Sequence, residues 1–277
     1  MTDGPTLGGL DIVQPKNIVR RMAILLWASS GDGKTTLAST APGKKLWVSF
    51  DPDATACLGP RDDIVEVKLY DQPARIVEKF KDENGPFFRD LSKMLSEDDS
   101  IATVVVDSIT TFRDKAMTHG VLVAQGTNKG KSSTLEDPGY AGYGNLNTWT
   151  RLFVANMLAV TAKHNRHVVL VAHEDKPTTN SDGVVLFISI MLGSSLNVQV
   201  PVNITEVWHM QDTGKERRIQ IRPCRGFKPM KTRMFRTTGA PEFVWDYNDE
   251  TKEGEGIATW YNRWKKAKFA KIPLPSG

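Results

Sequence analysis

The chain reads as an α/β protein with a mostly parallel central sheet covered by helices, plus an antiparallel basic hairpin. Three observations predict this. Met22 to Ala28 is an apolar, strand-like run that leads into Ser29-Ser-Gly-Asp-Gly-Lys-Thr-Thr36 and then a helix-compatible Leu-Ala-Ser-Thr. Further on, Ile101 to Asp107 is a second apolar run that ends in an acid, of the kind that a parallel sheet covered on both faces requires. Near the C-terminal side, Ile204 to Met210 and Arg217 to Arg222 alternate like two antiparallel strands about Asp212-Thr-Gly-Lys215.

The length of 277 residues suits one large α/β domain with appendages. We divide it into an N-terminal arm (1–20), a core (21–240) and a small C-terminal element with a basic tail (241–277). The arm is rich in Gly and Pro, and reads either as a contact to a neighbouring subunit or as a loose terminus. Hydrophobic residues at 40% and charged residues at 25% fit a globular protein, and a net charge of +4 requires no nucleic-acid partner by itself. The two cysteines, Cys57 and Cys224, lie far apart, which excludes a disulfide framework or a metal-ligand spacing and favours a reducing cytoplasm. The start has no signal-peptide pattern, and the longest apolar run, Val184 to Leu192, is too short to span a bilayer.

The first motif carries the chemistry. Ala28 to Thr35 fits the phosphate-binding pattern G-x-x-x-x-G-K-[ST], with alanine at its first position. Gly31 and Gly33 allow backbone N–H groups to turn inward around an anion, and the helix N-terminus behind them adds partial positive charge. The candidate nucleotide-binding residues are therefore Ser29, Ser30, Gly31, Asp32, Gly33, Lys34, Thr35 and Thr36. Lys34 would reach the β- and γ-phosphates, and the Thr35 hydroxyl would ligate Mg²⁺. An ordinary glycine turn would not place a strand and a helix on its two sides.

The next strand, Lys45 to Phe50, ends in Asp51-Pro-Asp53. Acids at a strand's C-terminal end face the ligand crevice of an open α/β sheet, so both are candidates to position the attacking water, Asp53 ahead of Asp51. Simple turn chemistry is the alternative. Ile64 to Leu69 is a short strand near the sheet edge, and Pro73 to Ser96 is mainly helical with a break at Asn84-Gly-Pro86. Asp107, at the tip of its β-branched strand, would hold Mg²⁺ through water or orient Thr35, and Ser108 and Thr110 suit the cap of the next helix.

Residues 125–144 read as a long flexible insertion, in which Lys129 and Lys131 stand near Tyr140 and Tyr143. Lysines beside aromatic rings suit single-stranded nucleic acid, although a solvated loop has the same composition. Asn145 to Asn165 is a helix, and His167 to His173 is the next buried strand. A polar residue at its tip, His173, is placed to contact a γ-phosphate, or else simply faces solvent. From Lys215 to Arg236, nine Lys/Arg stand against one acid, Glu216. Within that stretch Arg225, Lys231 and Arg233 are candidates for a neighbour's nucleotide site or for DNA phosphates; a solvated face is the rival reading. Aromatics follow at Trp245, Tyr247, Trp260 and Trp264, and then a lysine-rich tail.

This order of signals resembles the RecA-like core of P-loop NTPases, and within it the phage-encoded minimal RecA-core proteins of the single-strand annealing (Sak-four type) class, over roughly residues 20–238. The resemblance implies ATP phosphates at Gly33, Lys34 and Thr35, a catalytic acid at Asp53, a magnesium-site aspartate at Asp107, and a sensor at His173 where glutamine is usual. Lys34, Asp53, Asp107 and His173 are thus the candidate catalytic residues, and Thr35 and Asp107 the metal site. Lys231 and Arg233 match basic residues that act in trans. An aspartate stands where RecA proteins use glutamate, and a shorter acid weakens hydrolysis. The implied function is an ATP- and Mg²⁺-dependent ATPase, slow or DNA-stimulated. It would bind single-stranded DNA as an oligomer in recombination or annealing, with a single-strand-binding protein as a further partner and no membrane. Its place would be the cytoplasm, that of the host if phage-encoded. A nucleotide-switched protein-binding factor, such as a helicase loader or packaging regulator, is the alternative; a small-molecule phosphotransferase would need an acceptor pocket and lid for which no motif is present.

Overall fold

The computed structural model describes residues 6–7, 10–11, 20–127, 131–193 and 195–275. In the N-terminal arm, strands β1 (Thr6–Leu7) and β2 (Leu10–Asp11) pair antiparallel. The core then runs β3 (Ala23–Ala28), α1 (Lys34–Ser39), β4 (Lys44–Ser49), β5 (Ile64–Lys68), α2 (Pro86–Glu97), β6 (Ile101–Asp107), α3 (Ile109–Gln125), α4 (Gly139–Lys163) and β7 (His167–His173). After it come β8 (Thr178–Thr179), β9 (Val185–Phe187), α5 (Leu196–Val202), β10 (Glu206–Asp212), β11 (Arg217–Gln220), β12 (Glu242–Trp245) and α6 (Ile257–Lys266).

The main sheet has the order β12-β11-β10-β3-β7-β6-β4-β5, parallel from β10 to β5, with β11 and β12 antiparallel at one edge. Its central strands are apolar throughout because both faces are covered. The period of two sends Leu25 and Trp27 of β3 into one core and Ile24 and Leu26 into the other. One core holds a phenylalanine cluster in which Phe112 stacks on Phe153 at 4.1 Å and Phe50 and Phe80 meet both edge-on. The other packs α1 and α6 against the sheet through Leu37, Trp208, Trp260 and Phe235.

Some local expectations hold and others change. The helical stretch after Pro73 is a 3₁₀ helix, Ala74–Phe80, followed by α2, which starts with Pro86 at its first position, where no backbone N–H is needed. Ser108 caps α3, accepting from the Thr111 N–H at 3.2 Å. Helix α4 begins at Gly139, so Tyr140 and Tyr143 are helical residues rather than parts of a flexible insertion. Gly142 is tightly packed, since a Cβ there would meet Pro138 at 2.9 Å, whereas Gly144 has open space around it. A Cβ on Gly120 of α3 would meet the Gly142 carbonyl of α4 at 3.1 Å, tighter than an ordinary contact, so glycine eases the close approach of the two helices. Residues beyond 240 join the main sheet through β12 and fill the second core through Trp260 and Trp264 of α6.

Near the start of β7, His167 is buried with its Nδ1 accepting the Met22 N–H at 3.0 Å and its ring edge-on to Tyr261 at 4.4 Å. Burial, aided by Arg21 and Lys265, pushes its pKa down to about 4. A histidine held neutral in the fold contributes stability above its unfolded pKa of ~6.5, and this is lost as pH falls towards 4. Urea unfolding should therefore show about 2 kcal/mol of stability lost to this group between pH 7 and pH 5. In His167→Asn that part of the pH dependence should vanish, whereas identical slopes in the two proteins would contradict the assignment.

Candidate nucleotide-binding site

The loop between β3 and α1 turns through two glycines in the left-handed region, Gly31 at φ 91° and Gly33 at φ 93°, the latter capping α1. Lys34, the first helical residue, is buried at 6% exposure, and its ammonium folds back onto the Ala28 carbonyl (3.1 Å) and the Ser29 carbonyl (2.6 Å). Burial lowers its pKa, opposed by the carboxylates of Asp107, Asp32 and Asp51. On the next residue, the Thr35 hydroxyl donates to Asp107 Oδ2 at 3.0 Å. That carboxylate is 3% exposed, and burial, with the nearby charge of Asp51, pushes its pKa up to about 6 against the hydrogen bond from Thr35.

The strand order explains how these groups meet. β7 lies between β3 and β6, so its tip stands between the loop and Asp107. His173, opposite Ala28 in register, is fixed there by its backbone N–H, which donates to the Thr110 hydroxyl at 2.9 Å. Its Nε2 meets Asp51 Oδ2 at 3.3 Å, and the other Asp51 oxygen accepts from the Thr111 hydroxyl. Burial pushes the Asp51 pKa up, but the hydrogen bonds from His173 and Thr111 outweigh it and hold the carboxyl below its ordinary value. Behind the tip, Glu174 continues the β3 pairing at 2.9 Å and binds His209 at 2.8 Å. His209 also meets the Gln220 side-chain amide of β11 at 3.0 Å. Its ring lies between Trp27 and Phe227, each 4.2 Å away.

A cleft of about 340 Å³ opens over this arrangement, lined by Ser30, Gly31, Gly33, Lys34, Thr35 and Thr36 of the loop together with Asp51, Asp107 and His173. Ser29 contributes its carbonyl to Lys34, and Asp32 turns its carboxylate to the backbone N–H of Asp212 on the hairpin, while burial raises its pKa. Asp53 does not reach the cleft. It is exposed at φ 52° in the turn after β4, which aims it outward, whereas Asp51, one residue past the buried Phe50, points in. The expected order of the two acids is therefore reversed.

The basic candidates lie elsewhere. Arg225 pairs with Glu242 at 2.7 Å; Lys231 donates to the Val202 carbonyl at 3.1 Å and pairs through its backbone with Val207, near the start of β10 and away from the strand tips that form the cleft. Arg233 is exposed beside it, Lys131 is exposed in the α3–α4 connection, and Lys129 lies outside the described residues. The stretch is also less cationic than its own letters suggest, because acids outside it, Glu242, Asp212 and Asp249, pair with Arg217, Arg218 and Arg225. Two cleft residues had no individual signal: Arg217, counted only as one of nine basic residues, and Asp249, in a plain polar turn.

Chemically the cleft offers amides, an ammonium and a helix N-terminus to an anion. Its hydroxyl–carboxylate pair is an oxygen-only donor set of the type that magnesium takes, with water and phosphate completing the shell. The residues therefore fit Mg²⁺, and Thr35 and Asp107 are the groups that would hold it. Among the described residues, no cluster of three His, Cys, Asp or Glu could bind a metal without such outside ligands, and no helix is long and apolar enough to cross a membrane.

The conformation at Gly33 gives a direct test. A Cβ there would stand 3.3 Å from Arg217 Nε on a backbone that L-residues avoid. Gly33→Ala should lower folding stability by about 1–2 kcal/mol and weaken nucleotide binding in a titration. Gly144→Ala, in helix α4 with open space around it, should instead stabilise by about 0.5–1 kcal/mol. Equal effects of the two changes would contradict this geometry.

Comparison with known families identifies the domain that carries the cleft. A family model described as an AAA domain matches residues 20–237, which is most of the chain and includes the loop, Asp51, Asp107 and His173. A search of the curated proteins returned no match. With that match, the parallel sheet and the strand–loop–helix whose threonine bonds the aspartate at a neighbouring strand tip, the chain belongs to the AAA domain family and is built on a P-loop NTPase core.

Proposed function

We propose that the protein binds ATP with Mg²⁺, hydrolyses it slowly or on stimulation by DNA, and uses it as an oligomer that binds single-stranded DNA in recombination or annealing. The observation that carries the nucleotide part is the 3.0 Å bond from Thr35 to Asp107 beside the buried Lys34. Magnesium, when bound, neutralises charge on the phosphate oxygens. The rest is done by the chain. Loop amides 31–35 hold the phosphates, and Lys34 exchanges its two carbonyl partners for phosphate oxygen. Asp51 is held ionised, which makes it a weak proton acceptor, so it acts by fixing His173 and orienting a water rather than by keeping a proton.

Support for the DNA part comes from the resemblance to the RecA-like annealing class and from exposed cations. Arg222, Lys228, Arg233 and Arg236 follow the hairpin, and Lys265, Lys266, Lys268 and Lys271 close the chain. Completion of the nucleotide site by a neighbouring subunit through Lys231 and Arg233 fits their distance from the cleft of their own chain. One observation favours the second reading, a nucleotide-switched factor that binds protein. Val184, Val185 and Leu186, on and beside β9, are 51–59% exposed, a row of apolar side chains that a protein partner would cover.

The test is ATPase rate with and without single-stranded DNA, together with oligonucleotide binding over a salt series. Lys34→Ala should abolish turnover, and Asp51→Asn should lower kcat by on the order of 10²-fold with little change in nucleotide affinity. DNA affinity should fall with salt at a log–log slope of about −0.7 per phosphate neutralised. Turnover unchanged in Lys34→Ala would contradict the nucleotide part. Absence of oligonucleotide binding, with retention of a replication protein, would replace the DNA part by the second reading.

A further inference from the structure

Two side chains in the cleft have no place in the scheme above. Arg217 begins β11 and stands over the phosphate loop, its Nε 3.3 Å from where a Cβ on Gly33 would lie. Asp249, in the turn between β12 and α6, lines the same cleft. The two grip each other: Arg217 Nη1 donates to Asp249 Oδ1 at 2.8 Å, and Nη2 donates to Oδ2 of the same carboxylate. Asp212 Oδ2 takes Nε at 3.4 Å, and the guanidinium lies 5.7 Å over the buried Trp245 ring. Asp249 is carried to this point by a compact turn in which the Asn248 side chain accepts the N–H groups of Glu250 (2.8 Å) and Thr251 (3.0 Å).

An acid in a triphosphate site that neither faces the metal, as Asp107 does, nor orients water, as Asp51 does, should repel the ligand, unless it serves while the ligand is away. The planar fork of an arginine meets carboxylate and phosphate through the same paired hydrogen bonds, so one can replace the other without moving the arginine. We propose that Arg217 is a nucleotide-contacting cation of its own chain's site and that Asp249 is an internal anion that holds it until a phosphate oxygen takes over. The inference rests on the reading of the loop as a triphosphate site. The exchange favours the nucleotide because a triphosphate carries more charge than one carboxylate. Asp249, 41% exposed, returns to water at little cost. Trp245 and Asp212 keep the guanidinium in position throughout. Release of Asp249 unties the turn from β11 while its own Asn248 bonds remain, so nucleotide occupancy is felt where β12 connects to α6.

The signs of two substitutions separate this from a structural ion pair. Binding of a fluorescent ATP analogue with Mg²⁺ would be titrated into the wild type, Arg217→Gln, Arg217→Lys, Asp249→Asn, the Arg217→Gln/Asp249→Asn double variant and Lys34→Ala. Asp249→Asn should tighten binding by about two- to fivefold, the worth of a surface ion pair. Arg217→Gln should weaken it by on the order of tenfold to a hundredfold, the worth of charge-assisted bonds, and Arg217→Lys should fall between. In the Arg217→Gln background, where no fork is left to release, Asp249→Asn should tighten binding by clearly less than it does in the wild type. Tighter binding cannot come from damaged folding, so the Asp249 variant stays informative even if the arginine variants are less stable. If Lys34→Ala loses binding while Asp249→Asn binds no more tightly than wild type, the latch is wrong and the triphosphate site stands. If Lys34→Ala binds like wild type, both are wrong.

Discussion

One hydrogen bond joins the two halves of this fold at the place where chemistry is possible. The Thr35 hydroxyl, in the first turn of α1, reaches the Asp107 carboxylate at the tip of β6, although β7 separates their strands. For the bond to form, the loop must pass over β7, which its glycines in the left-handed region permit. The β6 tip is also buried, which raises the aspartate's pKa against that bond, while its carboxylate stays in contact with the cleft. The continuous apolar strands supply that burial, since both faces of the sheet are covered. The core is in this sense a platform that holds a hydroxyl and a carboxylate together beside a lysine.

Around that pair the polar groups form layers. His173 and Asp51 fix each other on one side, and Glu174, His209 and Gln220 link the same strand tip to the hairpin behind it. On the outer side Arg217 and Asp249 close the cleft with opposite charges. The cleft is therefore bounded by elements that come from most of the chain, and the residues beyond 240 belong to its wall as much as to the second core.

What the sequence made legible follows from how local the physics is. The strand–loop–helix could be read because β3 is apolar in every position and the glycine-lysine-threonine spacing leaves little choice of conformation. Asp107 could be read for the same reason. The sequence ranks Asp53 ahead of Asp51, yet the φ of a single turn residue decides which acid enters the cleft, and Asp-Pro-Asp permits either. Residues 139–144 looked loose because glycine is rare inside helices, yet they open α4, where a Cβ on Gly142 would meet Pro138 at 2.9 Å and the Gly142 carbonyl packs against Gly120 of α3. The basic stretch from 215 to 236 misled by its letters alone: Glu242 and Asp249, supplied by later residues, pair with three of its arginines. Long-range pairing of this kind leaves no trace in local composition.

The most direct measurement is a crystal structure with a non-hydrolysable ATP analogue and Mg²⁺. The account predicts phosphate oxygens within hydrogen-bonding distance of the amides of residues 31–35, the Lys34 ammonium turned from the Ala28 and Ser29 carbonyls onto them, and the metal between Thr35 and the Asp107 side. A loop that stays empty at saturating analogue, with Lys34 still on its own carbonyls, would contradict it.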